Sequence, residues 1–383
     1  MVRFTQSIVA ALAGLAGLAS AHPGHDHKTE AAERAAFLRS APVQGRSLNH
    51  CAQKLKARGV SDSNIARRES TVQQLRKRQG SVPDAPYLKA RNLDSVLATD
   101  HESTKDVTLS TDPSILFADG GACIVQPEVT QGPYYIAGEL VRRDMTEDQE
   151  GVPLFLDIQL VDVNTCEPLT QTYTDIWHCN ATGVYSGVVA SENGNINDEG
   201  NLNTTFLRGI QQSDDEGVVR FETIFPGHYV GRATHIHVVS YSSDQIHVLP
   251  NGTLSNTYDT HSSHVGQIFF DQNLISTVEQ SSPYSTNTQE LTTNDEDSIL
   301  ETEADTTDPF VEYVFLDEDV SKGVFAWISI GVNGTRNDYA SPEGWWTENG
   351  GVQNDDFEIN MAGMGDLQVP TGSASVSAAP TSA

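Results

Sequence analysis

The sequence predicts an all-β protein, an antiparallel β-sandwich that is preceded by a short helical segment. Three observations support this prediction. Short runs of β-branched and aromatic residues recur from about residue 121 and are separated by Gly, Pro, Asn and Asp turns. The sequence lacks the alternation of strand patterns with long helical patterns that would indicate βαβ units. The helical signal is confined to a stretch before residue 79 that is rich in Ala, Lys, Arg, Gln and Leu.

The clearest strand pattern spans residues 152–162, where apolar residues occupy every second position and therefore share one face. Further strand patterns span 174–178, 218–224, 235–240, 265–270, 311–316 and 324–332. Residues 277–309 interrupt the series with a run rich in Ser, Thr, Asp and Glu. We expect this run to form a surface excursion or a lid.

The chain divides into five predicted segments. Residues 1–21 combine a basic start, an apolar run and the small-residue motif Ala19-Ser20-Ala21, which is the pattern of a cleaved secretory signal. Residues 22–78 end at the dibasic pair Lys77-Arg78 and are interpreted as a propeptide or, alternatively, as a retained helical arm. An extended arm at 79–120, a β-rich domain at 121–365 and a disordered Ser/Thr/Ala tail at 366–383 follow. We therefore expect a secreted, extracellular protein.

Charge is distributed unevenly along the chain, whose formal net charge is −29. Residues 22–78 carry a net charge of +7, whereas residues 79–383 carry −37. Nucleic acids and anionic membranes repel such an acidic body, so neither is expected as a partner. Oligomeric state is left open by the sequence.

Cysteines and glycosylation motifs agree with export. The four cysteines, Cys51, Cys123, Cys166 and Cys179, allow three disulfide connectivities, and the sequence does not choose among them. The Asn-x-Ser/Thr motifs begin at Asn180, Asn203, Asn251 and Asn333.

Two imidazoles share one face of a predicted strand at His235-Ile-His237, because residues two apart in a strand point the same way. Such a pair supplies half of a metal site. Tyr229 and Arg232 lie just upstream, after a Pro-Gly turn. The alternative interpretation is a strand with two surface histidines and core tyrosines.

A second motif, Asp175-Ile-Trp-His followed by Gly183-Val-Tyr-Ser186, lies upstream. Together with Tyr229-Val-Gly-Arg-Ala-Thr-His-Ile-His237, it resembles the intradiol ring-cleavage dioxygenases. Gly132-Pro-Tyr-Tyr135 and Gln267-Ile-Phe-Phe270 are similar to two further stretches of that family, so the resemblance covers about residues 120–335. It implies a prealbumin-like β-sandwich core.

The resemblance also implies one non-haem Fe(III) per chain, held by Tyr185, Tyr229, His235 and His237. Phenolates suit a ferric ion, because a phenol with a pKa of about 10 ionises at neutral pH only beside a strong Lewis acid. Arg232 and Gln267 match positions that stabilise charge developing on the substrate. Gly132, Pro133 and Tyr134 match the substrate pocket.

By this resemblance the protein cleaves a catechol-type diol between its two hydroxylated carbons with O2, which gives a muconate-type diacid. The interval from Tyr229 to His235 is shorter than in many intracellular members, so the pocket wall is expected to differ. One alternative is a secreted β-sandwich that binds phenolics or glycans and keeps a relic metal site. Another is a ferrous extradiol-type enzyme, which the two tyrosines argue against.

Overall fold

The computed structural model describes residues 48–82, 116–117, 123–124, 132, 134–190, 193–195, 197–241, 246–255, 261–304, 308–336, 338–340 and 342–354. The predicted signal segment, most of the 79–120 arm, Pro133 and the predicted tail lie outside these residues. Within the described part, no helix is both long enough and apolar enough to cross a bilayer.

The described residues form a sheet-rich protein with few helices. The helices are α1 (Ala52–Ala57), α2 (Val60–Arg78), α3 (Gln272–Val278) and α4 (Ser298–Ala304). The strands are β1 (Cys123–Ile124), β2 (Ile136–Ala137), β3 (Pro153–Asp162), β4 (Tyr173–Trp177), β5 (Arg208–Gln212), β6 (Val218–Ile224), β7 (His235–Tyr241), β8 (His261–Ser262), β9 (His264–Phe269), β10 (Glu312–Phe315), β11 (Val324–Val332), β12 (Asp338–Tyr339), β13 (Gly344–Thr347) and β14 (Gly350–Gln353). Single 3-10 turns lie at Leu48–Cys51, Glu199–Asn203, Tyr284–Thr286 and Val320–Lys322.

Two larger sheets dominate the fold. The four-stranded sheet has the order β5-β4-β7-β9, and all its neighbours are antiparallel. The five-stranded sheet has the order β1-β11-β3-β6, with β10 also paired to β11. Its β1–β11 and β11–β3 pairs are parallel, so the prediction of a purely antiparallel sandwich is wrong for this sheet. Along the sequence, most of the domain separates β3 from β11. Only strands that are joined by a tight hairpin must be antiparallel, so strands this far apart in the sequence can pair in parallel.

The apolar core receives side chains from both larger sheets. Leu154 and Ile158 of β3 and Ile236 and Val238 of β7 belong to one buried cluster. Alternation along β7 then directs His235 and the other odd-numbered side chains to the opposite face of the four-stranded sheet. The candidate site therefore lies on the face that points away from the inter-sheet core.

Helix α2 covers the other face of β3, which is buried on both sides. Arg67 donates to both carboxylate oxygens of Asp157, at 3.0 and 2.9 Å, and Asn64 Nδ2 donates to Gln159 Oε1 at 2.6 Å. A disulfide between Cys51 and Cys166 joins the segment before α1 to the β-rich body. The alternating pattern of β3 predicts only its core-facing side, because the polar residues on the other side give no sign of a covering helix.

Residues 277–309 do not form a purely surface excursion. Helix α4 lies within them, and Tyr284, Asp297, Ile299 and Leu300 are buried. Tyr284 donates from its hydroxyl to the carbonyl of Phe225 at 2.6 Å. This segment therefore packs against the body and contacts the loop before β7.

Candidate metal centre

Strand β7 places His235 and His237 side by side. Its neighbours are β4, with Trp177 opposite His237, and β9, with Gln267 opposite His237. The two imidazole Nε2 atoms are 3.0 Å apart, and both side chains are buried. Because the strand lies between two paired neighbours, its backbone holds this imidazole pair rigidly.

Backbone and ring contacts orient both imidazoles. Nδ1 of His235 donates to the carbonyl of Ala233 at 2.6 Å, which leaves Nε2 as the nitrogen that can accept or ligate. The indole of Trp177 stacks on the His237 ring, with 4.8 Å between centroids and an angle of 1° between planes. Both rings therefore present Nε2 to the same space.

Tyr229 reaches this space from the loop between β6 and β7. Its hydroxyl oxygen is 3.3 Å from His235 Nε2, and the loop is closed by a bridge between Tyr229 and Arg232. The six-residue interval between Tyr229 and His235 therefore spans one tight turn that returns the chain to the sheet.

Tyr185 reaches the same space from the loop after β4. Its ring centroid lies 5.6 Å from that of Tyr229 and 6.1 Å from that of His237. Asn193 accepts from the Tyr185 backbone N–H at 2.7 Å, and the Asn193 and Asn201 amides both donate to the Tyr185 carbonyl at 2.9 Å. Both asparagines are buried, and neither is suggested by a motif in the sequence.

Burial sets the protonation of the two phenols. It raises the pKa of Tyr185 well above its ordinary value, and the nearby Tyr229 hydroxyl raises it further. Burial also raises the pKa of Tyr229, although the Arg232 guanidinium opposes this rise. Both phenols are therefore neutral unless a cation lies beside them. Two imidazole nitrogens and two phenol oxygens that converge in a buried space match the preference of a hard, highly charged metal ion.

Arg232 and Gln267 lie together at this site, and both are fully buried. The Arg232 Nη2 donates to Gln267 Oε1 at 2.6 Å, and its Nε donates to Asp297 Oδ2 at 3.0 Å. Asp297 is a residue that the sequence does not single out. The available signal is its position just before Ser298-Ile-Leu, where an Asp often caps a helix.

The loop before β2 lies directly against the His237 imidazole. Gly132 has a φ of +76°, and a Cβ at this position would lie 2.7 Å from His237 Cε1. The Tyr134 ring stacks on Tyr185 at 4.6 Å between centroids and meets Tyr229 edge-on at 6.4 Å. Two of the three predicted pocket residues are thus next to the candidate ligands, and Pro133 lies outside the described residues.

Other histidines in the described part of the chain have different environments. His178 lies between the Cys179 carbonyl and the Thr223 hydroxyl, each 2.8 Å away, and burial lowers its pKa to about 4. His50 lies near Cys51 and Cys166, but the two sulfur atoms are joined as a disulfide. Neither histidine is therefore placed as a candidate ligand.

Comparison with known proteins gives consistent matches. A family model described as Dioxygenase matches residues 127–250. The chain is 30% identical over 108 residues to catechol 1,2-dioxygenase of Pseudomonas sp. (strain EST1001), which covers 27% of this chain and 32% of that protein. The matched stretch thus spans about a third of this curated relative.

Two solved structures extend the comparison. An intradiol ring-cleavage dioxygenase from Tetranychus urticae is 30% identical, with 56% of this chain and 96% of that chain covered and a TM-score of 0.44. Catechol 1,2-dioxygenase from Pseudomonas arvilla C-1 is 21% identical, with 54% of this chain and 60% of that chain covered and a TM-score of 0.32.

Proposed function

Because this chain belongs to the intradiol ring-cleavage dioxygenase family, we propose that it cleaves the ring of a catechol-type diol with O2 at a non-haem Fe(III) centre. The observation that carries this proposal is the convergence of two imidazoles and two phenols. The His235 and His237 Nε2 atoms are 3.0 Å apart, and the Tyr229 hydroxyl is 3.3 Å from the former. The product is a muconate-type diacid.

Tyr185, Tyr229, His235 and His237 are the residues that would hold the ferric ion. The ion would supply Lewis acidity toward a phenol oxygen or a diol oxygen. The donor set supports this role because both phenols are buried with raised pKa values and need a nearby cation to ionise. The hydrogen bond from His235 Nδ1 to Ala233 fixes the tautomer that ligation requires.

Protein side chains would take up a proton, stabilise developing charge and border the substrate during the reaction. A phenolate oxygen of Tyr229 or Tyr185 can hold a proton released by the diol, because each phenol regains its neutral form readily in a buried site. The Arg232 guanidinium and the Gln267 amide are preorganised donors for negative charge that develops on the ring and its oxygens. Tyr134 lies against Tyr185 and borders the space left for the substrate ring.

We also propose that the protein is secreted. A secretory signal at residues 1–21 and the Cys51–Cys166 disulfide are both typical of a chain that folds in an oxidising compartment. We also infer a prealbumin-like sandwich, supported by the core cluster that both larger sheets share. Because the acidic body repels anions, a neutral diol is the first substrate to test.

The test is oxygen uptake by the iron-loaded full-length secreted protein with catechol, together with identification of the product by mass spectrometry. We expect one O2 consumed per catechol and a muconate-type diacid. The variant His235→Ala should lose bound iron and at least about 100-fold of the activity, since it removes one donor of the site. The matched control is His247→Ala, which alters an exposed histidine outside the site and should leave both unchanged.

Two results would contradict the proposal. Iron binding without cleavage of any diol would favour a binding protein with a relic site. A semialdehyde product would instead indicate extradiol chemistry.

A further inference from the structure

Asp297 connects helix α4 to the candidate active site through its two carboxylate oxygens. Oδ1 accepts from the backbone N–H groups of Ile299 and Leu300, at 2.8 and 3.2 Å, and so caps α4. Oδ2 accepts from Arg232 Nε at 3.0 Å and from the Ala233 backbone N–H at 2.9 Å. One carboxylate thus joins a helix start to the turn that carries the site.

The Arg232 side chain is held by acceptors from two separate elements. Asp297 accepts a hydrogen bond from Arg232 Nε, and Gln267 of β9 accepts one from Arg232 Nη2 at 2.6 Å. Arg232 and Gln267 have no exposed surface, and Asp297 is only 1% exposed. A guanidinium is planar, so two such contacts fix both its position and the plane in which its other donors point.

The contact continues to a candidate ligand. The Ala233 backbone N–H donates to Asp297, and the Ala233 carbonyl accepts from His235 Nδ1 at 2.6 Å. The Ala233 peptide therefore lies between the Asp297 carboxylate and the His235 ring, whereas Arg232 contacts Asp297 directly.

We propose that Asp297 is a positioning residue, which holds Arg232 in the orientation needed to stabilise charge on the substrate. This inference rests on the proposed function, since it assigns Arg232 to a substrate in that site. Asp297 itself does not contact the reacting atoms. It acts through Arg232.

Two variants separate positioning from helix capping. Asp297→Asn keeps an oxygen that can cap α4 but turns an amide donor toward the Arg232 and Ala233 donors. Asp297→Ser keeps a hydroxyl that can cap α4 and removes the carboxylate oxygen that accepts from Arg232 Nε. The control is Asp295→Asn, because Asp295 is exposed in the same segment and contacts Thr293 instead.

A first measurement needs no bound iron. In metal-free protein labelled with 15N-arginine, the Arg232 Nε–H signal should exchange slowly with water, because the group is buried and hydrogen bonded. We expect the signal to shift and its exchange to accelerate at least tenfold in Asp297→Asn and Asp297→Ser, but not in Asp295→Asn. An unchanged Arg232 signal in both Asp297 variants would overturn the proposal, whether or not the protein cleaves diols.

The second measurement is a double-mutant cycle on kcat with Arg232→Lys. We expect Asp297→Asn to lower kcat about 10- to 100-fold, as loss of supporting contacts commonly does. Catechol affinity and iron content should stay within threefold of the unaltered protein. The double variant should be no slower than Arg232→Lys alone, within threefold, because Asp297 acts through the arginine.

Multiplicative losses in the double variant would overturn the proposal, since they would show that Asp297 acts independently of Arg232. A kcat within twofold of the unaltered protein in both Asp297 variants would also overturn it. If the unaltered protein loads iron but cleaves no diol, the proposed function fails, and the arginine signal still decides whether Asp297 positions Arg232.

Discussion

Gly132 determines how closely the loop before β2 approaches the candidate ligands. Its φ of +76° lies in the left-handed region, and the position of a Cβ there would be 2.7 Å from His237 Cε1 and 3.3 Å from His237 Nδ1. The loop can therefore cover the imidazole only because this residue has no side chain.

Replacing Gly132 by Ala should displace His237 or lift the loop from it. We expect Gly132→Ala to weaken iron binding about 10- to 100-fold, the range seen when contacts next to a ligand are lost. The measurement is the iron dissociation constant by competition with a chelator, together with the melting temperature.

Gly252→Ala is the matched control for Gly132→Ala. Gly252 has a similar φ of +83°, but no atom lies within 4 Å of a Cβ built there. Both variants should lose about 1–2 kcal/mol of stability from left-handed strain, and only Gly132→Ala should lose iron affinity. Equal iron affinity in the two variants would show that the loop does not constrain His237.

Site residues within short motifs could be predicted from the sequence, whereas the residues far away in the sequence that hydrogen-bond to them could not. Strand alternation is enough to pair His235 with His237. Asp297 is 65 residues from Arg232, and no local pattern indicates that contact. Asn193 and Asn201 likewise hold the Tyr185 backbone from a loop whose composition resembles any polar connection.

At the scale of elements, helix α2 is held to β3 by a buried ion pair. Burial alone would raise the pKa of Asp157, but the Arg67 guanidinium and its neighbours lower it below the ordinary value. The pair therefore stabilises the docked helix above the ordinary Asp pKa, and this stabilisation is lost as the pH falls through the lowered value. Val72 and Leu75 add apolar contacts to Phe155 and Trp327.

From these contacts we propose that residues 48–78 stay with the body as a helical arm and are not released as a propeptide. Lys77-Arg78 ends helix α2, and the Arg78 guanidinium contacts Glu222 at 2.7 Å and lies over the Phe155 ring. A protease that needs an extended substrate must first unwind this turn. Even a cut after Arg78 would leave the arm joined to the body by the Cys51–Cys166 disulfide.

Digestion by a protease that is specific for Lys-Arg pairs, of which Lys77-Arg78 is the single example in the sequence, should therefore yield two fragments that remain together. We expect one band on a non-reducing gel and two bands after reduction, and Cys166→Ser should release the arm without reductant under denaturing conditions. Release of the arm from the unaltered protein on a non-reducing gel would contradict this account.

Topology was harder to predict than strand positions. The span of β6 and that of β11 follow directly from their β-branched residues. The parallel pairing of β3 with β11 depends on where distant strands meet, and alternation within a strand carries no information about its neighbour. Strand β5, Arg208–Gln212, was missed because its polar residues lack the β-branched signature.

At the scale of the whole molecule, ion pairs join a basic segment to an acidic body. Their compositions alone suggest that the basic segment is released and that the body is kept. Residues 22–78 carry +7 and residues 79–383 carry −37. Arg58, Arg67 and Arg78 each pair with an acidic residue of the body. In the described residues 48–78, the basic side of this change in charge therefore makes ion pairs with the acidic body.

The most direct test of the central claim is the visible absorption spectrum of the iron-loaded protein before and after anaerobic addition of catechol. Ferric ion bound by tyrosinate should give a strong charge-transfer band in the visible range, and catechol should shift it. The band should weaken or shift in Tyr185→Phe and in Tyr229→Phe. A colourless protein that holds one ferric ion per chain would contradict the assignment of both tyrosines as ligands.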